Sequence, residues 1–184
     1  MRILVVLLGR TIPGFHPLVD AISRTFGAKV TTELIDPPFT RSFRSSRNQY
    51  DAEVLLEELT PLVSEHADKA VFITRDDLFG SDFPYIFGMA KGKNCIVSLY
   101  RLDPRAYGPV KDAAAANALF KERILKEVIH ELGHTFGLQN CGDPKCVMAF
   151  SRSIEGLDAK GRAFRGSCSE EIKTKSGKPI SKGP

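Results

Sequence analysis

The sequence predicts an α/β domain built on a mixed sheet. Three observations carry that prediction. Between residues 2 and 74, apolar β-branched runs alternate with helix-period patterns in the order strand, helix, strand, helix, strand. Two extended segments around a tight turn follow, at 85–90 and 95–102, and add antiparallel character. A long helical stretch then runs from about 112 to 138.

The run RILVVLL at 2–8 is apolar without alternation, as expected of a strand covered on both faces. After the turn Thr11-Ile12-Pro13-Gly14, the residues Leu18, Val19, Ile22 and Phe26 recur at helical steps over 16–26, and Gly27 is placed to stop the helix. KVTTELI at 29–35 reads as a second strand, ended by Asp36-Pro37-Pro38, because proline cannot donate to a ladder. Residues 40–49 are polar and rich in Arg and Ser, a loop. A helix over 50–66 carries Val54, Leu55, Leu59, Leu62 and Val63 on one side, with Pro61 set to kink or divide it. KAVFIT at 69–74 is a third strand, and 75–80 a loop. The 112–138 helix packs below the sheet, with Gly137 as its stop. Beyond Gln139 periodicity is lost, apart from a helical turn around 169–174.

Hydrophobic residues make up 42% of the 184 and charged residues 26%, which excludes collagen-like, coiled-coil and wholly disordered chains. The formal net charge of +4 lies at one end. The four lysines of 173–184, with no acid among them, leave 22 basic and 22 acidic residues in 1–172. A basic end is not a basic face, so no nucleic-acid partner is expected. The only N-terminal apolar run, Ile3 to Leu8, is shorter than a signal-peptide core, and nothing approaches the ~20 apolar residues of a membrane span. A cytoplasmic monomer with no membrane partner is expected. Its single domain covers 1–172, with an α/β part to about 138, a smaller part over 139–172, and a basic flexible tail at 173–184.

The chemistry is concentrated in His130-Glu131-Leu132-Gly133-His134. On a helix, positions i and i+4 share a face, so both imidazoles can hold one Zn²⁺. Glu131 beside them is placed to take a proton from water as general base and return it to a leaving amine. Two solvated histidines on a surface helix are the plainer alternative, but Gly137, Cys141, Cys146 and Met148 follow too closely for that. In the pattern HExxHxxGxxH the glycine breaks the helix, the loop returns a third ligand, and a later methionine sits under the site. Gly137 and Met148 fit those roles. Position 140 holds Asn140, whose neutral amide oxygen is a poor zinc ligand, and the other two histidines, His16 and His66, are distant in sequence. Cys141 and Cys146 enclose four residues in a knuckle-like turn able to chelate a metal, or else stand as free thiols or a disulfide. Cys95, inside a strand, reads as core. Asp76 and Asp77 offer a cation site, less favoured than helix capping or loop solvation.

The run HELGHTFGLQNCGDPKCVM from His130 to Met148 resembles the archaemetzincins, a family of small zinc-dependent metallopeptidases. Arg47-Asn48-Gln49-Tyr50, Asp76-Asp77-Leu78-Phe79, Phe87-Gly88-Met89-Ala90, Arg101-Leu102, Lys126-Glu127 and Ala149-Phe150-Ser151 add to the likeness, which spans about 2–170. The resemblance implies a metzincin-like twisted mixed sheet with an active-site helix. It also implies two zincs: a catalytic one on three histidines, and a structural one on four cysteines that tethers the C-terminal segment. This chain departs from both patterns. Asn140 stands at the third histidine position, and aligning on Phe164 puts Arg165 where the distal CxxC has its first cysteine. The implied ligands are therefore His130, His134 and, at the third position, Asn140 for catalytic zinc, with Cys141, Cys146 and Cys168 for structural zinc. The fourth ligand at the cysteines is left open between water, a carboxylate such as Glu170 or Glu171, and a rearrangement of the adjacent backbone. The resemblance also makes the segment ending at Arg101-Leu102-Asp103-Pro104 the edge strand above the cleft, where a peptide would add as a strand. The expected activity is hydrolysis of peptide bonds in a peptide or protein substrate, with Glu131 as general base. The alternative is a degenerate relative that keeps the fold and structural zinc and binds peptide or metal without efficient turnover.

Overall fold

The computed structural model describes residues 1–11, 16–36, 41–63 and 67–177. Strands β1 (Arg2–Leu8), β2 (Lys29–Ile35), β5 (Lys69–Thr74), β8 (Gly88–Lys91) and β9 (Asn94–Ser98) form a five-stranded sheet in the order β2-β1-β5-β9-β8. The first four run parallel, and β8 pairs antiparallel with β9 at one edge. The unbroken apolar run of β1 is explained by the layers on either side. Ile3, Val5 and Leu7 face one core, against helices α1 (His16–Phe26) and α3 (Ala113–Thr135). Leu4, Val6 and Leu8 face a second core, against α2 (Ala52–Leu59).

A second sheet was not anticipated. Strands β3 (Phe43–Arg44), β4 (Gln49–Asp51), β6 (Leu78–Gly80) and β7 (Phe83–Ile86) pair in the order β3-β4-β6-β7. Residues 40–49 and 75–80, expected as loops, supply β3, β6 and the first residue of β4, whose other two residues were expected to begin the 50–66 helix. Each of these strands is two or three residues long, too short to show a period. The segment expected as one strand at 85–90 is divided, because Phe87 falls between β7 in one sheet and β8 in the other. Residues 99–102 are a turn, not strand: the Leu102 N–H donates to the Leu99 carbonyl (3.2 Å).

Pairing with β8 makes β9 an interior strand, so the sheet edge beside the helix is β8 and not a strand ending at Arg101. Arg101 is instead paired in two directions with Asp77 (2.8 and 2.7 Å), which also accepts from Gln49 Nε2 (2.8 Å). Asp76 accepts from the Thr74 hydroxyl (2.7 Å). The two acids thus tie the sheets together, a role other than cation binding.

The 50–66 helix is shorter than expected. Asp51 caps α2 by accepting from Val54 N (3.3 Å), and a 3₁₀ turn over Thr60–Leu62 takes Pro61 at its start. Residues 64–66 of the expected helix, including His66, lie outside the described residues, as do most of the turn before α1 and the Pro37-Pro38 stop. The C-terminal part is more helical than its pattern suggested, with α4 (Ile154–Ala159) and α5 (Gly166–Ser176). Helix α5 extends into the stretch expected as tail, and residues 178–184 are not described. No helix among the described residues is long and apolar enough to cross a membrane.

Candidate metal centres

Helix α3 starts at Asp112, whose carboxylate accepts from Ala114 N and Ala115 N (2.8 and 3.0 Å). It ends in a Schellman motif. Gly137, at φ +82°, donates to His134 O (2.8 Å), and Leu138 donates to Gly133 O (3.2 Å). The left-handed glycine satisfies the last carbonyls and turns the chain back over the helix end. Arg123 holds the helix body in place, paired with Asp158 of α4 (2.8 and 2.7 Å).

The two histidines of the last turns are oriented by backbone carbonyls. His130 Nδ1–H donates to Val147 O (2.9 Å), and His134 Nδ1–H to Leu138 O (2.8 Å). A carbonyl can only accept, so Nδ1 carries the proton and each Nε2 keeps its lone pair. The two Nε2 atoms face each other 3.2 Å apart, with the rings nearly perpendicular. Two lone pairs aimed at one point repel, unless a cation lies between. Two tetrahedral zinc ligands at ~2.05 Å would be about 3.3 Å apart. The pair therefore fits two ligand positions of a zinc site. Among the described residues, no third His, Cys, Asp or Glu atom joins them. Asn140 is exposed and lines the same cavity as His130 and His134.

His130 is buried, and its pKa is pushed down to about 3 by that burial, then by Lys160 and His134. The imidazole is thus neutral at neutral pH. The shift has a consequence for stability. A folded pKa below the unfolded ~6.5 means that the unfolded chain binds the extra proton, so stability is full above pH 6.5 and falls as pH drops toward 3. The loss attributable to this group is on the order of 5 kcal/mol. Urea unfolding of the metal-free protein should show a pH dependence in this window that His130→Gln flattens. Identical profiles would exclude the buried neutral imidazole.

Glu131 is also buried, and burial, followed by the neighbouring Glu127 carboxyl, pushes its pKa well above the usual carboxylate range. Lys160 opposes this shift. Its side chain is buried and ion-paired with Glu127 (3.4 Å). Glu131 reaches its place only because β8 presents a glycine: a Cβ on Gly88 would lie 2.6 Å from Glu131 Cγ and 2.9 Å from the Ile96 carbonyl. Below the helix, a Cβ on Gly133 would lie 2.5 Å from Met148 Sδ, so the second free position of the HExxH run is fixed by the methionine beneath it.

Two cavities flank the imidazoles and share His130, Glu131, Gly88, Met89 and Phe150 as walls. One, of about 260 Å³, is lined by Phe83, Tyr85, Phe87, Glu127 and Lys160. The other, of about 390 Å³, runs past Ala90, Leu138 and Asn140. Edge strand β8 borders both. Gly88, Phe150, Glu127 and Lys160 were not singled out as site residues from the sequence. Gly88, Glu127 and Phe150 stood only in stretches that carried the resemblance. Nothing in the sequence pointed to Lys160, which comes from the end of α4.

The second centre lies at the C-terminal end. The sulfurs of Cys141, Cys146 and Cys168 all lie within 4.8 Å of one another, with no disulfide. Met148 O accepts from Cys141 N (2.8 Å), pinning this turn against the methionine. Backbone N–H groups of Asp143 and Arg165 donate to Cys141 Sγ (3.5 Å) and Cys146 Sγ (3.4 Å), fixing both sulfurs in place. The Cys168 thiol is pushed up to about 12 by burial and by Cys141 beside it, so a metal must displace its proton. Neither Glu170 nor Glu171 joins the cluster, and Glu171 is paired with Lys175 (2.5 Å). Three soft sulfur donors in one place fit zinc, one short of its usual four. Cys95, by contrast, is fully buried in β9.

The chain matches the family model described as Peptidase family M54 over residues 36–174. It is 40% identical over 129 residues to an archaemetzincin of Haloquadratum walsbyi, covering 69% of this chain and 73% of that one. The crystal structure of an archaemetzincin from Methanopyrus kandleri superposes with a TM-score of 0.82 at 31% identity, covering 97% of this chain and 96% of that one. A zinc-dependent peptidase from Methanocorpusculum labreanum superposes with a TM-score of 0.78 at 29% identity, covering 92% and 99%.

Proposed function

Since the chain belongs to the archaemetzincin family, peptidase family M54, we propose that it is a zinc-dependent metallopeptidase that hydrolyses peptide bonds, with Glu131 as general base. The carrying observation is the imidazole pair: two Nε2 lone pairs 3.2 Å apart, each ring fixed through Nδ1 by a backbone carbonyl. His130 and His134 would hold the catalytic zinc, with Asn140 nearest the third position in the chain. Bound there, Zn²⁺ supplies Lewis acidity that polarises a carbonyl and acidifies water. Glu131 takes the proton of the attacking water on its carboxylate and passes it to the leaving nitrogen. Burial and the neighbouring Glu127 carboxyl raise the Glu131 pKa, which favours holding the proton between the two transfers. Edge strand β8 offers free main-chain groups along the cleft, so an extended peptide or protein segment can add beside it. Met148 supports the site from below. Cys141, Cys146 and Cys168 would hold a structural zinc that ties α5 to the loop after α3. The protein is proposed to act as a cytoplasmic monomer, without nucleic-acid or membrane partners.

A second reading is favoured by one observation, the lack of a third strong donor beside His130 and His134 among the described residues. On that reading the chain keeps the fold and the cysteine zinc but turns over little or nothing. Metal analysis and peptide cleavage decide between them. The enzyme reading expects up to two zincs per chain with zinc supplied, and cleavage that a chelator abolishes and added Zn²⁺ restores. One tightly held zinc with no cleavage at any zinc concentration establishes the degenerate reading.

A further inference from the structure

The cysteine centre has features that its role as a structural zinc site does not use. Three thiolates are brought together, but zinc held by protein alone normally takes four ligands. The carboxylate inside the Cys141–Cys146 turn is Asp143, and both of its oxygens are engaged. Oδ1 accepts from Lys145 N (2.8 Å), and Oδ2 is paired with Arg165 Nε (3.2 Å). Arg165 itself stands three residues before Cys168, and its backbone N–H lies 3.4 Å from Cys146 Sγ. A guanidinium has no lone pair to offer a metal. Cys146 and Cys168 are buried, whereas Cys141 is partly exposed, so the cluster is closed on its core side and reached by solvent at Cys141.

We propose that this centre is a three-thiolate metal site whose fourth coordination position is open to an exogenous ligand of the small-thiol class. The inference rests on the zinc reading of the cysteines given above. Three thiolates and a divalent cation carry one net negative charge, and a fourth thiolate adds another. Lys145, inside the Cys141–Cys146 turn, offsets it, whereas the Arg165 charge is already met by Asp143. A soft thiolate is preferred over water on a metal already held by sulfur. A second copy of this chain cannot supply the thiolate, because Cys95, the only cysteine outside the cluster, is fully buried.

The test is Co²⁺ titration of the full chain, read by absorption. Cobalt is kept below one equivalent and His130→Gln/His134→Gln removes the imidazole pair, so sulfur-to-cobalt charge transfer reports the cysteine centre alone even after thiol is added. Adding a monothiol such as 2-mercaptoethanol should raise that band by about one third, the increment of a fourth thiolate on three, with cobalt retained. Arg165→Cys, a change at an exposed side chain, should have the stronger band from the start and no response to thiol. A wild-type band indifferent to thiol would mean that the protein closes the site, overturning the open position but not the metal. Absence of any charge-transfer band would overturn the cysteine zinc reading and this inference together.

Discussion

Glu131→Gln is expected to reduce peptide hydrolysis by about 10²–10⁴-fold while leaving zinc binding intact. Glutamine keeps the shape that fits against Gly88, where there is no room for anything larger. It cannot accept a proton from water at neutral pH. His130 and His134 depend on the Val147 and Leu138 carbonyls for their orientation, not on Glu131, so the metal should stay. Stability supplies a second readout. A buried carboxyl with a raised pKa contributes stability below its unfolded pKa that is lost as pH rises through the folded value. The amide has nothing to lose on this account, so at neutral pH the variant should be no less stable than the parent. Parallel measurement of kcat and zinc stoichiometry checks the prediction. Turnover equal to wild type would remove Glu131 from the mechanism.

Asn140→His should raise zinc affinity at the imidazole pair by at least the ~10–100-fold that even an outlying partner of a metal ligand is worth. Two nitrogens on one helical turn give bidentate chelation only, and a neutral amide oxygen is a weak third donor beside an imidazole. Position 140 follows the Schellman turn at Gly137 and lines the cavity that the two histidines share, so a longer side chain with a basic nitrogen can reach the metal. In wild type, activity should be low without added Zn²⁺ and rise with it, and the variant should need less. Calorimetric titration of both proteins is the measurement. Equal affinities would show that residue 140 does not face the metal.

Much of the site could be read from local sequence because helical spacing alone brings His130, Glu131 and His134 together. The stop at Gly137 belongs with them, since a positive φ after a helix is a strictly local demand. Strands β1, β2 and β5 were legible for a similar reason: each is six or seven residues of mostly apolar or β-branched chain. The second sheet was not legible. Its strands are two to four residues long, and they pair across gaps in sequence through groups such as Gln49, Asp77 and Arg101. The edge strand was misplaced for the same reason. Whether β8 or the residues after β9 border the cleft depends on which segment pairs with β5, and that choice is made by packing.

The sequence by itself determined that His130, Glu131 and His134 share the end of one helix, that Gly137 stops it and that Cys141 and Cys146 share the turn after it, because contacts within a turn or two of backbone follow from spacing. Tertiary structure alone decided what surrounds them. It decided that Lys160 pairs with Glu127 under the base and that Gly88 yields room to Glu131. It also decided that Met148 fills the space at Gly133, and that Arg165 pairs with Asp143 beside the cysteine turn. Each of these joins residues from separate elements, and its energy exists only when both elements are docked. No window of local sequence contains both partners.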